Sequence, residues 1–316
     1  MDRRAGLAYL AVLLGVCGHA SSEFFAVLSG VAGPETSVWR YMIGSAGLLI
    51  AALCMPSARD LLTPLREDGL RILWLSMIGF SLAYLAFHWS LDFATVVQVG
   101  TLVTTIPIFV GLANLAINRV SFTAPKVQSG IAAVAGVALL ITDGYLFELA
   151  GRAGSLFGVG LALSCSALVA VYVVLARPLV AKHGAIRITA LSMTIGAIGL
   201  WLIVGAFWSV WVDPTTLLLD RPPTEKWSLL TLGIWNTTIT QLLWVGGLAA
   251  VPDITRGSYL FFLKPMITTA LALVFLTQPI TWIQVVAICV ICGAVAVEFL
   301  WTERAAKVAP AAAQGE

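Results

Sequence analysis

Long apolar stretches recur along nearly the whole chain, each close to the roughly 20 residues that cross a bilayer core. Short polar breaks separate them. Hydropathy predicts ten helices, at residues 6–29, 36–55, 69–91, 93–117, 124–143, 155–182, 186–211, 227–248, 253–275 and 280–301. The connections at Asp92 and at Val251-Pro252 are so short that the helices they join must be antiparallel neighbours. The longest loops are 56–68 and 212–226. One stretch of this pattern occurs twice. It runs first from Leu91-Asp92-Phe93-Ala94-Thr95 through Ile106-Pro107-Ile108-Phe109 and Asn118-Arg119-Val120-Ser121 to Gln128 and Gly136-Val137. It returns from Leu248-Ala249-Ala250-Val251-Pro252 through Lys264-Pro265-Met266-Ile267 and Gln278-Pro279-Ile280-Thr281 to Gln284 and Gly293-Ala294. Each copy is an apolar helix with a central proline (Pro107, Pro265), a polar break, a glutamine and a glycine-containing apolar helix. A duplicated polytopic chain is most often a transporter with its site between the copies.

Composition narrows the class. Hydrophobic residues make up 59% of the 316 and charged residues only 11%, with a mean hydropathy of +0.96. Soluble domains carry roughly a quarter charged residues, so no sizeable soluble domain is expected. The net charge of +2 gives no basic face for nucleic acid. Charge placement predicts orientation. Arg3, Arg4, Arg59, Arg66, Arg71, Arg119, Lys126, Lys182, Arg187, Arg256, Arg304 and Lys307 fall on one side, against Arg152, Arg221 and Lys226 on the other. Both termini are therefore expected in the cytoplasm, in a cell (inner) membrane. Five spans per copy make the second copy enter from the opposite side, an inverted repeat. The expected units are 1–150 and 155–303, followed by a disordered cytoplasmic tail at 304–316. Asp2-Arg3-Arg4 before an apolar run has the outline of a signal peptide, but cleavage would remove half a span and break the five-plus-five symmetry. The five cysteines lie within spans; Cys289 and Cys292 have metal-like spacing but no second pair or nearby histidine, so neither disulfide nor zinc is expected.

An ionisable residue at bilayer depth costs at least a few kcal/mol and so points to function. Glu23 and His19, four apart on the first helix, share a face and are candidates for proton coupling; the alternative is a pair near the outer interface that reaches water. Tyr84, His88 and Asp92 form a polar stripe on the third helix. His88 can meet a carboxylate or exchange a proton, or merely bond a neighbouring helix, while Asp92 suits a helix cap. Lys264 precedes the kink-forming Pro265 in mid-span, too far from either helix end to snorkel. It is placed to meet a substrate carboxylate or to pair with Glu23. Ile106 occupies its position in the other copy, so the halves are chemically unequal. Arg40 suggests an interface anchor or an anion contact at the cavity mouth. Gln98, Asn114 and Asn236 are adequately explained by interhelical hydrogen bonds. Gln241 and Trp244, three apart on the eighth span, and the mid-span Trp89, Trp235, Tyr172 and Tyr259 are candidates for an aromatic cavity or for packing.

These residues resemble the drug/metabolite transporter superfamily, specifically its EamA-type ten-helix exporters. The likeness is clearest at Ala94-Thr95, Ile106-Pro107-Ile108-Phe109, Asn118-Arg119-Val120-Ser121, Gln128, Gly130 and Gly136-Val137. It is also visible at Trp39-Arg40-Tyr41 and at Tyr259-Leu260 with Leu263-Lys264-Pro265. The usual Gly-Glu at the break is absent from both copies. The resemblance implies an all-α membrane protein of two inverted five-helix repeats, with helices one to four and six to nine around a central cavity. It also implies secondary export of amino acids, related metabolites, amines or toxic cations. An uptake permease or exchanger of the same superfamily shares these features; an intramembrane enzyme or receptor is the reading from another class. No nucleotide-binding loop, Gly-x-Ser-x-Gly or His-Glu-x-x-His occurs. The expected partners are a small solute, the bilayer and protons; no cofactor, catalytic residue or metal is expected, and a monomer suffices.

Overall fold

The computed structural model describes residues 3–119, 153–216, 221–251, 260–277 and 280–294, with scattered positions between 128 and 139 and at 296–297. Among these residues the chain is helical, with no strand. Among the described residues, six helices are long and apolar enough to cross a membrane. They are α1 (Arg3–Leu28), α2 (Gly33–Cys54), α3 (Leu62–Ser90), α4 (Val96–Asn118), α5 (Ala153–His183) and α6 (Ala185–Trp208). They are followed by α7 (223–250), α8 (260–275) and the short apolar α9 (Trp282–Ala294). The stretch expected to form the fifth of ten spans lies outside the described residues apart from scattered helical positions, as do the tail at 304–316 and residues 252–259.

Several boundaries differ from the hydropathy reading by a few residues, and two show their cause. The third helix starts at Leu62 rather than near residue 69, because the first turns are amphipathic and register poorly on a hydropathy scale; the backbone kinks at Asp68 (φ −132°, ψ 21°) where the apolar part begins. The fourth begins at Val96, set by a capping box in which the Thr95 hydroxyl accepts from the Gln98 N–H and the Gln98 side chain accepts from the Thr95 N–H.

The duplication is written into the backbone irregularities. Met77–Leu82 of α3 and Ile234–Ile239 of α7 are both π-helical, and their separation equals that between Leu91 and Leu248, where the two sequence copies open. In α7 the cause is local. The Thr237, Thr238 and Thr240 hydroxyls donate to the carbonyls five residues earlier, of Leu232, Gly233 and Trp235, and β-branched residues resist tight helical winding. Helices α4 and α8 are also both interrupted. A break at Thr104-Thr105 divides α4, and a 3-10 turn (Leu260–Leu263) opens α8. In each, the proline follows as the second residue of the regular segment, Ile106–Asn118 or Lys264–Phe275. Pro107 has no N–H to return a helical bond, and the hydroxyls of Thr104 and Thr105 donate to the carbonyls of Thr101 and Leu102.

Helices of the two copies interleave. Helix α1 packs on α7 and α8, α2 on α6 and α7, α3 on α5 and α6, and α4 on α5 and α8. Small residues let the backbones approach, as packing in lipid requires. A Cβ on Gly18 would lie 1.7 Å from the Thr240 hydroxyl, and one on Gly44 would lie 2.3 Å from the Thr237 methyl. Trp39, Tyr41, Leu48, Phe80, Met193, Leu200, Leu229 and Leu232 form the largest core, at the junction of α2, α3, α6 and α7. The outward faces present Leu7, Leu10, Leu14, Ile50, Ile198 and Leu202, as a lipid-facing surface should.

Candidate functional site

A cavity of about 460 Å³ lies where the copies meet. Its walls come from corresponding positions of both. Tyr84 and Phe87 of α3 match Gln241 and Trp244 of α7 in the register set by the π-helical segments. Val103 and Ile106 of α4 match Phe261 and Lys264 of α8 in the register set by the prolines. His19 and Ser22 of α1 are spaced as Val169 and Tyr172 of α5. The backbone framework is thus paired while the chemistry is not: Lys264 faces Ile106 and His19 faces Val169 in the pairing, and the wall's second cation is Arg40 of the first copy.

Lys264 and Glu23 form an ion pair at 2.5 Å, with side chains only 4% and 0% exposed. Pairing with an opposite charge is what allows each to be buried. Ser22 also donates to the Glu23 carboxylate, at 3.1 Å. The pair joins α1 of the first copy to α8 of the second. Thr268, one turn beyond Lys264, ties the same helices by donating to the Ala20 carbonyl at 2.9 Å.

Arg40 is not at a cavity mouth. It stands roughly two turns into α2, is buried, and lines the central cavity. The hydropathy boundary put it at an interface because α2 starts in a short, tight connection. Its Nε donates to the Thr237 hydroxyl (3.0 Å), Nη2 to the Asn236 carbonyl (3.3 Å) and Nη1 to His88 Nε2 (3.2 Å). Asn236 and Thr237 both belong to the π-helical segment of α7. A guanidinium can only donate, so His88 Nε2 accepts. The proton is then on Nδ1, which donates to the Tyr84 carbonyl at 2.9 Å, and His88 is the neutral tautomer. Arg40 also lies over the rings of Tyr41 and Phe87, at 5.6 and 5.9 Å from their centroids. Lys264 Nζ is 5.9 Å from the same Phe87 ring.

The polar stripe of α3 therefore divides. Tyr84 faces the central cavity, His88 bonds Arg40, and Asp92 turns away to cap α2, accepting from the Gly33 N–H at 2.9 and 3.1 Å. Burial raises the Asp92 carboxyl above the usual carboxylate range, and the Gly33 N–H opposes the rise. His88 and Asp92 line a second pocket of about 340 Å³ with Gly30, Val31 and Thr36. Arg40 lines the central cavity while its partner His88 lines the second pocket.

Other expected positions fall as follows. His19 meets Trp244 and Phe261 edge-on, at 5.9 and 5.7 Å. Gln241 and Trp244 line the cavity. Trp89, expected among its residues, packs instead against Phe93, Phe157 and Trp208, because it follows His88 by one position and so points about 100° away around the helix. Tyr259 lies outside the described residues. Pro265 is buried beside Lys264, and Pro107 holds the equivalent second position of Ile106–Asn118. Sequence reasoning passed over Phe80, Phe87, Ser22 and Cys165, all in the cavity wall. The four-residue spacing of Phe80 and Tyr84 was the available signal; for Cys165 there was none.

Two repeats with paired irregularities and one shared cavity match a known architecture. The EamA-like transporter family model matches residues 6–142 and again residues 156–300. The chain belongs to the EamA-like transporter family. It is thus a drug/metabolite-type transporter of the membrane, with a small-molecule solute and lipid as its surroundings. Among fifteen matching solved chains, a crystal structure described only as that of a protein aligns with 94% of this transporter and 98% of its own chain, at 18% identity and a TM-score of 0.63; that likeness speaks to fold alone. No curated protein matches it.

Proposed function

We propose that this transporter is a secondary exporter of small organic solutes, amino acids or related metabolites with an aromatic or cationic part among the candidates, working by alternating access. The observation that carries the proposal is the buried Glu23–Lys264 pair beside a cavity built from both copies, since an intramembrane ion pair at a repeat interface is where a solute or proton can exchange partners. Ties between the copies at opposite ends support a rocking motion. At one end Arg221 reaches Glu35 at 2.5 Å, bonds Glu225, and lies 5.0 Å over Trp39. At the other, Asp68 holds Lys182 and His183, both at 2.8 Å. In this reading the copies are inverted relative to one another, spanning 1–150 and 155–303, both termini are cytoplasmic, the membrane is the cell (inner) membrane, and one chain suffices. Glu23 and His19 are the proton-coupling groups, Lys264, Tyr84, Gln241 and Trp244 meet the solute, and His88 acts through the Arg40 it bonds.

The test is flux in proteoliposomes of defined orientation, over amino acids, amines and carboxylates, with and without a pH gradient. Saturable outward-directed flux that Lys264→Ala abolishes, and a gradient response lost in Glu23→Gln, are expected. Flux in the uptake direction alone would replace the exporter with a permease of the same fold.

A further inference from the structure

Among the described residues, the central cavity is lined by two cations and no acid. Arg40 and Lys264 both line it, and no aspartate or glutamate is among its lining residues. Glu23 sits behind the wall, held by Lys264 and Ser22. Lys264 thus has its counter-charge, whereas the partners of Arg40 are a hydroxyl, a backbone carbonyl and a neutral imidazole. A buried guanidinium without a counter-ion is costly, and the open side of Arg40 is the cavity. Its bonds to Thr237, Asn236 and His88 use three of five N–H donors, one on each nitrogen, and leave one on each terminal nitrogen. N–H donors left on both terminal nitrogens can receive a carboxylate. The rest of the wall is aromatic and aliphatic, with Phe80, Phe87, Tyr172, Trp244 and Phe261.

Resting on the transport reading, we propose that the preferred solute carries one carboxylate and no ammonium group on a flat apolar body, and that Arg40 is its anchor. The carboxylate supplies the missing negative charge and the ring fills the aromatic walls, a division typical of small-ligand sites. An α-ammonium group would be placed among Arg40 and Lys264 with no free carboxylate to receive it, so a zwitterionic amino acid is disfavoured against the acid of the same shape.

Phenylacetate, phenylalanine and phenethylamine form a matched set. Binding to the nanodisc-held protein is read by calorimetry and by Trp fluorescence. The acid should bind at least about ten-fold tighter than either other compound. Arg40→Gln should weaken the acid by about ten-fold or more and leave the amine unchanged, while Arg40→Lys should keep the ranking with a smaller gap. Equal or tighter binding of the amino acid or the amine overturns the proposal. So does failure of the wild type to bind the acid, or an Arg40→Gln change that weakens all three alike, which would make Arg40 a structural strut. If Arg40→Gln does not fold, the wild-type ranking and Arg40→Lys still decide. Flux of the same set separates this from the transport reading. Flux of phenylalanine or phenethylamine without the acid refutes the anion preference and leaves a transporter; acid binding without flux of any of the three supports the anchor and counts against transport.

Discussion

Replacing Glu23 with glutamine keeps its shape and removes its charge. Lys264 would then be left 4% exposed, with its ammonium 2.5 Å from a neutral amide and Arg40 in the same cavity wall. Breaking a buried pair from one side costs about 3–5 kcal/mol, because a charge remains without compensation. At about 2 °C per kcal/mol for a chain of this size, Glu23→Gln should lower the unfolding midpoint in detergent by roughly 6–10 °C. Removing both charges, as in Glu23→Gln with Lys264→Met, should recover more than half of that loss, since an apolar replacement of the pair is often nearly neutral. The assay is thermal unfolding of the purified protein followed by circular dichroism, for both single variants and the double. A double variant as unstable as the sum of the singles would refute the reasoning, since the cost would then come from packing and not from an orphaned charge.

A methyl group on Gly33 would lie 2.2 Å from the His88 carbonyl oxygen, where only backbone can yield. Gly33→Ala should therefore destabilise by about 1–3 kcal/mol, whereas Gly160→Ala, with nothing within 4 Å, should be neutral or slightly stabilising in the same unfolding measurement. Thr95→Ala removes the capping box of α4 and should cost about 1 kcal/mol, seen as faster hydrogen exchange at Val96–Gln98 with little change elsewhere. Arg221→Gln cuts a partly exposed tie at one end of the molecule. It should change stability by no more than about 1 kcal/mol yet raise the thiol-labelling rate of a cysteine placed at Thr36, beside the second pocket; an unchanged rate would mean that this tie does not hold that end closed.

Apolar runs near bilayer length, a duplicated proline-centred segment and a thin charge content determined the helical membrane class and the two copies. They could do so because lipid forbids unsatisfied backbone, leaving helices as the natural way to place such runs. The same physics singled out Glu23, His88 and Lys264, since charge at bilayer depth is too costly to be incidental. Which charges meet was decided only by the tertiary structure. Arg40 read as an interface residue until α2 packed on α7 and the π-helical segment offered the Asn236 carbonyl and Thr237 hydroxyl to it. Tyr84, His88 and Asp92 read as one stripe, but three different neighbours gave them a cavity, a guanidinium and a helix end. Trp89 and His88 are adjacent in the chain yet belong to different surroundings, because one residue of helical rotation separates them. Periodicity along the chain records what each helix is made of. The partner across the interface is set by helix crossings that small residues such as Gly18 and Gly44 permit, and those crossings are properties of pairs of helices that no single segment encodes.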